Sequence, residues 1–217
     1  MKIFKIPQNL KAIIFDIDGT LYTCPEYVFE QVDVQIRHWS KINGWSNDEG
    51  RKKMSAFQEN WSKEHGGKKI SLGNAFTHFG ISIEQSIEWR NSLLHPENFL
   101  KKNEELSAAL EYLKSKYKLI ALTNNPVAAA KKNLAAIGIE NQITDIIGLD
   151  TCYKSKPAKE MLEKACKIGN CTCNQMLSVG DRYDIDLALP LEMGMGAVLT
   201  NGAEDVIKLT ESLKTAF

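Results

Sequence analysis

Residues 12–22 read AIIFDIDGTLY: an apolar run of Ala12, Ile13, Ile14 and Phe15, then Asp16 and Asp18 one residue apart, then Gly19. A short continuous apolar run bounded by turn signals reads as a strand covered on both faces, the pattern of a parallel sheet. In open α/β sheets, ligands bind beyond the carboxyl ends of the strands, where loops feed the starts of helices. Two carboxylates aimed from such an end are therefore placed for chemistry.

Working outward, the run at 11–15 is followed by no convincing strand until KLIAL at 118–122. One crossover does not need that much chain. Val28, Val32, Ile36 and Trp39 recur at helical spacing, as do Met54, Phe57 and Trp61, and then Ile83, Ile87 and Leu94, with breaks at INGWSND, EHGGKK and FGIS. Residues 24–98 thus read as a helical insert, a cap. The insert holds all four tryptophans, Trp39, Trp45, Trp61 and Trp89, whose ordinary use is core packing. Beyond it, helix and strand alternate. Leu106, Leu110 and Leu113 mark a helix; strands fall at 118–122, 144–147, 176–179 and 196–200, and helices at 127–137, from Pro157, and at 185–193. Such alternation, joined by right-handed crossovers, predicts a doubly wound, Rossmann-like α/β core with a parallel sheet, formed by residues 1–23 and 99–217 and interrupted by the cap.

Composition narrows the partners. The 27 basic and 27 acidic residues of the 217 cancel, leaving no surplus of Lys and Arg for nucleic acid or anionic lipid. A small soluble substrate is the expected partner. The start, MKIFKIPQNL, carries no signal-peptide run, and no segment approaches the roughly 18 apolar residues of a membrane span, so the expected location is cytoplasmic. Five cysteines are an odd number for a disulfide framework. Cys166, Cys171 and Cys173 lack the paired C-x-x-C or histidine spacing of a zinc site and read as loop thiols.

The predicted strand ends carry DIDGT, TNN and GDRYDID, and KSKP precedes the helix at 157. Singly, these are ordinary caps and surface charges. Together they gather several carboxylates at one sheet edge, and like charges at that range repel strongly. A divalent cation resolves the repulsion, and an all-oxygen donor set selects Mg²⁺. A phosphate has receptors as well: the Thr123 hydroxyl and the amides of Asn124 and Asn125 at a helix start, with Pro126 suited to the first helical position, and Lys156 as a fixed positive charge. A carboxylate beside such a phosphate can attack phosphorus to give an aspartyl phosphate, and a second acid can protonate the departing alcohol. Asp16 and Asp18 supply both.

DIDGT, TN, KP and GDRYDID, in that order and spacing, resemble the four motifs of the haloacid dehalogenase-like hydrolase superfamily over essentially the whole chain, with the insert matching its type one cap. Within that superfamily DIDGTLY, HPENFL, FTHFGIS and KSKPAKE are most similar to pyrimidine 5′-nucleotidase-like phosphatases. The resemblance implies an Mg²⁺-dependent phosphatase of small phosphate monoesters, with nucleoside 5′-monophosphates as one substrate class. It implies Asp16 as nucleophile and metal ligand, Asp18 as general acid/base and carbonyl ligand of the metal, and Asp181 as the remaining ligand. Thr123 and Asn124 would hold the phosphoryl oxygens and Lys156 would neutralise charge. The second acid of the last motif falls on Asp186, with Asp184 the other claimant, in an outer role orienting Lys156 or a metal water.

Other members of the superfamily frame the alternatives. Dehalogenases lack the second aspartate, so Asp18 argues against that chemistry. Phosphonate cleavage uses a cap lysine, and Lys52, Lys53, Lys63, Lys68 and Lys69 read as solvated. A phosphosugar or phosphoglycolate phosphatase, or a phosphomutase, uses the same core. A phospho-receiver-like signalling module shares the acidic pocket, Thr and Lys, but is normally about half this length and has no cap. Trp45 and Trp61 in the cap, or Tyr22 just ahead of it, are rings that could face a base. Oligomeric state has no signature in the sequence.

Overall fold

Two compact units make up the chain: Met1–Cys24 together with the chain from Pro96 onward, and Pro25–His95. The computed structural model describes residues 1–216. The first unit is a six-stranded sheet flanked by helices, the second a set of helices.

In the first unit the strands are β1 (Lys2–Lys5), β2 (Ala12–Phe15), β3 (Lys118–Leu122), β4 (Asp145–Ile147), β5 (Met176–Gly180) and β6 (Gly196–Leu199), in the spatial order β1-β6-β5-β2-β3-β4. All neighbours run parallel except β1, which pairs antiparallel with β6. The predicted α/β core is thus present. β1 is an addition: KIFK is too short an alternation to stand out, and its four residues are all exposed. Lysines on an edge strand discourage pairing with another chain.

β2 is central and wholly buried, which is why its sequence is unbroken apolar. Its register sets Phe15 beside Ala121 of β3 on one side and Val179 of β5 on the other. The residues that follow these strands, beginning with Asp16, Thr123 and Asp181, therefore leave the sheet at one edge. Ala12, Ile14, Ile120, Leu122, Ile147, Met161, Leu162, Ala165 and Met176 belong to one buried cluster that fixes this register from one face.

The flanking helices are α5 (Glu104–Lys116), α6 (Val127–Ala136), the short α7 (Leu149–Cys152), α8 (Lys159–Ile168), α9 (Ala188–Glu192) and α10 (Ala203–Ala216); the inserted unit holds α1–α4, given below. Three helix expectations need correction. Pro126 is the N-cap of α6, not its first residue. α8 begins at Lys159, since Ala158 is still extended as its N-cap (φ −138°, ψ 124°). The helix expected at 185–193 opens as a wider π turn, Tyr183–Leu187, before α9. The cysteines of 166–173 are free thiols, half-buried on the apolar cluster, and Cys166 lies in α8 rather than in a loop.

The inserted unit contains α1 (Pro25–Ile42), α2 (Asn47–Glu64), α3 (Leu72–Thr77) and α4 (Ile83–Leu93). α2 and α4 each start with a reciprocal capping box, Ser46 with Glu49 and Ser82 with Gln85. Its core is Ile36, Trp39, Met54, Leu72, Ala75, Phe76 and Ile81. Trp39 meets Trp45 and Phe76 edge-on, with centroids 5.0 and 5.7 Å apart. The first half of α1 departs from its periodicity: Val28 and Val32, expected inside, are 48 % and 45 % exposed, and Phe29 between them 63 %. Across α1 and α2, buried Asp33 accepts from Arg51 at 2.7 and 2.9 Å and from Arg37, which also bonds Glu30 at 2.6 and 3.0 Å. Among the described residues, no helix is long and apolar enough to cross a membrane.

Candidate active site

Asp16 is the first residue after β2, and its amide donates to Val179 O at 2.9 Å, so the sheet holds its backbone. The residue is 4 % exposed. Oδ1 accepts from the Lys156 ammonium, and Oδ2 from the Thr20 hydroxyl at 3.3 Å. The same ammonium donates to Asp186 Oδ1 at 2.7 Å. One buried cation is therefore shared by two buried carboxylates.

That imbalance governs the electrostatics. Burial raises the Asp16 carboxyl, Lys156 pulls it down, and Asp186 and Asp18 push it up again, leaving it at about 7. Burial alone would lower the Lys156 ammonium, but Asp16 and Asp186 outweigh that and hold it above the usual lysine range. Lys156 stays a cation, and its single charge is shared by the two carboxylates.

Asp181 adds to the excess. It follows β5, and its carboxyl is raised chiefly by burial. Its Oδ1 is buried and has no hydrogen-bond partner among the described residues; the Arg182 Nε lies 3.6 Å away. Carboxylate oxygens of Asp16, Asp181 and Asp186 come within 4.8 Å of one another. Hard oxygen donors, an orphaned buried oxygen and surplus negative charge fit Mg²⁺.

Two glycines permit this crowding. Gly19 takes φ +90°, and a side chain there would run into the Asp181 carboxylate. A side chain on Gly180 would meet Asp186. Asp186 itself is fixed from several sides: its Oδ2 accepts from the Arg182 amide at 3.1 Å, and its carbonyl from the Ser178 hydroxyl at 2.9 Å. Asp184 is exposed. Of the two claimants in the last motif, Asp186 reaches Lys156.

Asp18 sits in a different environment, half-buried, with Oδ1 accepting from the Tyr22 hydroxyl and Oδ2 from Asn125 Nδ2 at 3.1 Å. Asn133 of α6 donates to the Tyr22 hydroxyl at 3.2 Å. The sequence reading named Asn125 only for its backbone amide and gave no sign of its side-chain role or of Asn133, because their partners are 107 and 111 residues away. It also considered Tyr22 as a ring to face a base, whereas Tyr22 is 6 % exposed and its hydroxyl is engaged here.

The expected phosphate receptors are partly in use. Thr123 is buried, and its Oγ1 accepts from the Asn125 amide at 3.1 Å, so that amide, expected to be an anion donor, is engaged within the loop. The first amide of α6, Val127, donates to Asp150 Oδ1 at 2.9 Å. Asn124 Oδ1 accepts from the Lys156 amide at 2.7 Å, tying the loop after β3 to the segment that carries the lysine. Thr123, Asn124 and Lys156 are thus joined through the backbone of two loops. Of the rings considered for a base, Trp45 packs on Trp39 and Trp61 stacks on His65 at 3.8 Å.

Similarity to known proteins bears on the fold and the family. A structure described as a HAD phosphatase from Thermococcus onnurineus superposes with a TM-score of 0.62 at 24 % identity, covering 88 % of this chain and 86 % of that one. The HAD-hydrolase YfnB from Bacillus subtilis, bound to magnesium, gives 0.58 at 17 %, covering 89 % and 88 %. A predicted phosphoglycolate phosphatase from Haemophilus somnus gives 0.57 at 21 %, covering 90 % and 87 %. At these identities the structures share the fold. No curated protein matches the sequence. The family model described as haloacid dehalogenase-like hydrolase matches residues 10–194, from ahead of β2 to beyond α9, and with that span the chain belongs to the haloacid dehalogenase-like hydrolases.

Proposed function

We propose that the protein is an Mg²⁺-dependent phosphatase that hydrolyses small phosphate monoesters through an aspartyl phosphate on Asp16. The observation that carries this reading is the contrast between two aspartates one residue apart. Asp16 is buried and ion-paired to Lys156, whereas Asp18 is half-buried and bonded to the neutral donors Tyr22 and Asn125. Paired carboxylates in unlike surroundings are how one site obtains a nucleophile and a proton donor at the same pH.

In the reaction, an Asp16 oxygen forms a bond to phosphorus as the bond from phosphorus to the ester oxygen breaks. Asp18 gives that oxygen a proton, and the alcohol leaves. Water then attacks phosphorus, Asp18 takes its proton, and the bond from phosphorus to the Asp16 oxygen breaks, which restores the Asp16 carboxylate and releases inorganic phosphate. Lys156 holds Asp16 in place and offsets charge on the transferring group. Mg²⁺, held by Asp16, Asp181 and the carbonyl of Asp18, would supply the positive charge that one lysine cannot provide. With that cation bound, Asp16 would be held in the ionised form that attack requires, against the upward push of burial. Asp186 would orient Lys156, to which it is bonded.

For substrate we favour nucleoside 5′-monophosphates, on the sequence likeness to pyrimidine 5′-nucleotidase-like phosphatases. Phosphoglycolate or a sugar phosphate is the second reading, favoured by relatives of the same fold that include a predicted phosphoglycolate phosphatase and a β-phosphoglucomutase from Clostridium difficile. We assign the inserted unit, Pro25–His95, the selection of the leaving group. A panel of phosphate monoesters with Mg²⁺ or EDTA tests the whole reading. Expected are turnover that EDTA stops and an Asp16→Asn variant below about a hundredth of the parent rate, as loss of a covalent step implies. Full activity after exhaustive chelation, or an active Asp16→Asn, would overturn it. A variant with 25–95 replaced by a short linker should keep activity on a generic ester and lose its ranking among natural ones.

A further inference from the structure

We propose that Cys166 and Cys173 form a reversible intramolecular disulfide, a thiol modification site oxidised by low-molecular-weight disulfides of the glutathione type. It lies apart from the carboxylate cluster. Cys166 is in the last turn of α8, and Cys173 opens the 3₁₀ turn Cys173–Gln175 that leads into β5.

The chain between them is built to bring the sulfurs together. α8 ends at Gly169, and Asn170 takes φ +46°, a left-handed residue of the kind that closes helices. The amide of Cys171 then returns to the Cys166 carbonyl at 3.2 Å. This reversal sets Cys166 Sγ and Cys173 Sγ 3.1 Å apart. A disulfide bond is about 2.0 Å, so about 1 Å of approach completes it. Both cysteines are half-buried, which leaves a small oxidant access.

The exchange balances as two displacements. The Cys173 thiolate attacks one sulfur of the oxidant, forming a mixed disulfide and releasing one small thiolate, which takes up a proton. Cys166 then gives up its proton, and its sulfur attacks Cys173 Sγ, forming the intramolecular bond and expelling the second small thiol. The protein loses two hydrogens and two electrons, and the oxidant gains both. Burial and then the hydrogen bond with Cys173 push the Cys166 thiol up to about 12, so Cys166 holds its proton while that hydrogen bond lasts. Capture of Cys173 in the mixed disulfide removes that hydrogen bond and eases the second step.

Native protein incubated with oxidised glutathione at pH 8, then alkylated, digested with trypsin and examined by mass spectrometry, tests the assignment. The expected product is lighter by two hydrogens and contains peptide 165–167 linked to peptide 168–182. Cys171 shares the second peptide, so the Cys171→Ser variant must keep the link and Cys173→Ser must lose it. Reduced glutathione or dithiothreitol must reverse it. A link that disappears in Cys171→Ser, stable glutathionylation without an internal bond, or quantitative alkylation of both thiols after oxidation would each overturn the proposal.

Discussion

Replacing Lys156 by Met tests the charge arithmetic of the site directly, because methionine keeps the length and removes the cation. The lysine side chain is 3 % exposed, as is that of Asp16, and Asp186 is 2 % exposed. Removing one partner of a buried ion pair costs about 3–5 kcal/mol, and here two carboxylates lose the same partner, which favours the upper end. In a chain of this size about 1 kcal/mol moves Tm by about 2–4 °C, so a fall of about 10 °C or more is expected by far-UV circular dichroism at pH 8 with EDTA. The sign of the pH dependence follows from Asp16, raised from its ordinary 3.8 to about 7 with the lysine present. Loss of Lys156 removes the influence that lowers it. A folded carboxyl that holds its proton more tightly than the unfolded one makes stability greatest at low pH and reduces it as pH rises through that window. The deficit should therefore shrink markedly at pH 5. Millimolar Mg²⁺ should restore part of the Tm at pH 8 by stabilising the folded state through binding. A shift under about 2 °C at pH 8, or a larger deficit at pH 5 than at pH 8, would refute Lys156 as the shared counter-charge.

Asp18→Asn should slow hydrolysis of an alkyl phosphate by about 10²- to 10⁴-fold while sparing p-nitrophenyl phosphate, whose leaving group needs little protonation; equal losses in steady-state and burst phases would remove Asp18 from the acid role. Tyr22→Phe should reproduce a weaker form of that split, about tenfold, since it deletes one hydrogen bond to the carboxylate while leaving its charge. Gly180→Ala forces a methyl group against Asp186; a stability loss of about 1–3 kcal/mol in denaturant titration is expected, with a larger fall in turnover than Gly73→Ala, whose methyl would make only ordinary van der Waals contacts, causes. In the inserted unit, Arg51 first and Arg37 with it hold Asp33 below the usual carboxylate range against the opposing effect of burial. A depressed carboxyl contributes stability that is full above pH 4 and is lost as pH falls further, so Asp33→Asn should lower the unit's stability at pH 7 by about 2 kcal/mol, followed by tryptophan fluorescence, and the gap to the parent should close toward pH 3.

What the sequence disclosed was what lies close along the chain. The strands at 118–122 and 144–147 and the buried β2 announce themselves because apolar runs and turn residues are local, and the motif aspartates are conspicuous because they break those runs. In GDRYDID the motif spacing favours Asp186 over Asp184, and the π turn buries the first and exposes the second. Asn133 is legible only as one polar residue in an alanine-rich helix, since its partner comes from the loop after β2. The periodicity of α1 misled for Val28 and Val32 because spacing gives a helical face without saying what covers it.

Interrupting the core after Cys24 also dictates when the chain can fold. The contacts that define the inserted unit lie within Pro25–His95, but β2 must wait for Lys118–Leu122 on one side and Met176–Gly180 on the other, and β1 for Gly196–Leu199. On a ribosome the insert can therefore mature while Ala12–Phe15 is still an unpaired apolar strand, the kind of segment that seeds aggregation in slow, non-local folds. Its immediate neighbours are Lys11 on one side and Asp16 with Asp18 on the other. Charged residues flanking an obligatory sticky strand are the usual protection against self-association. The aspartates assigned to phosphoryl transfer in the finished enzyme thus also guard the nascent chain, and neutral replacements at Asp16 and Asp18 should reduce the yield of soluble protein during synthesis.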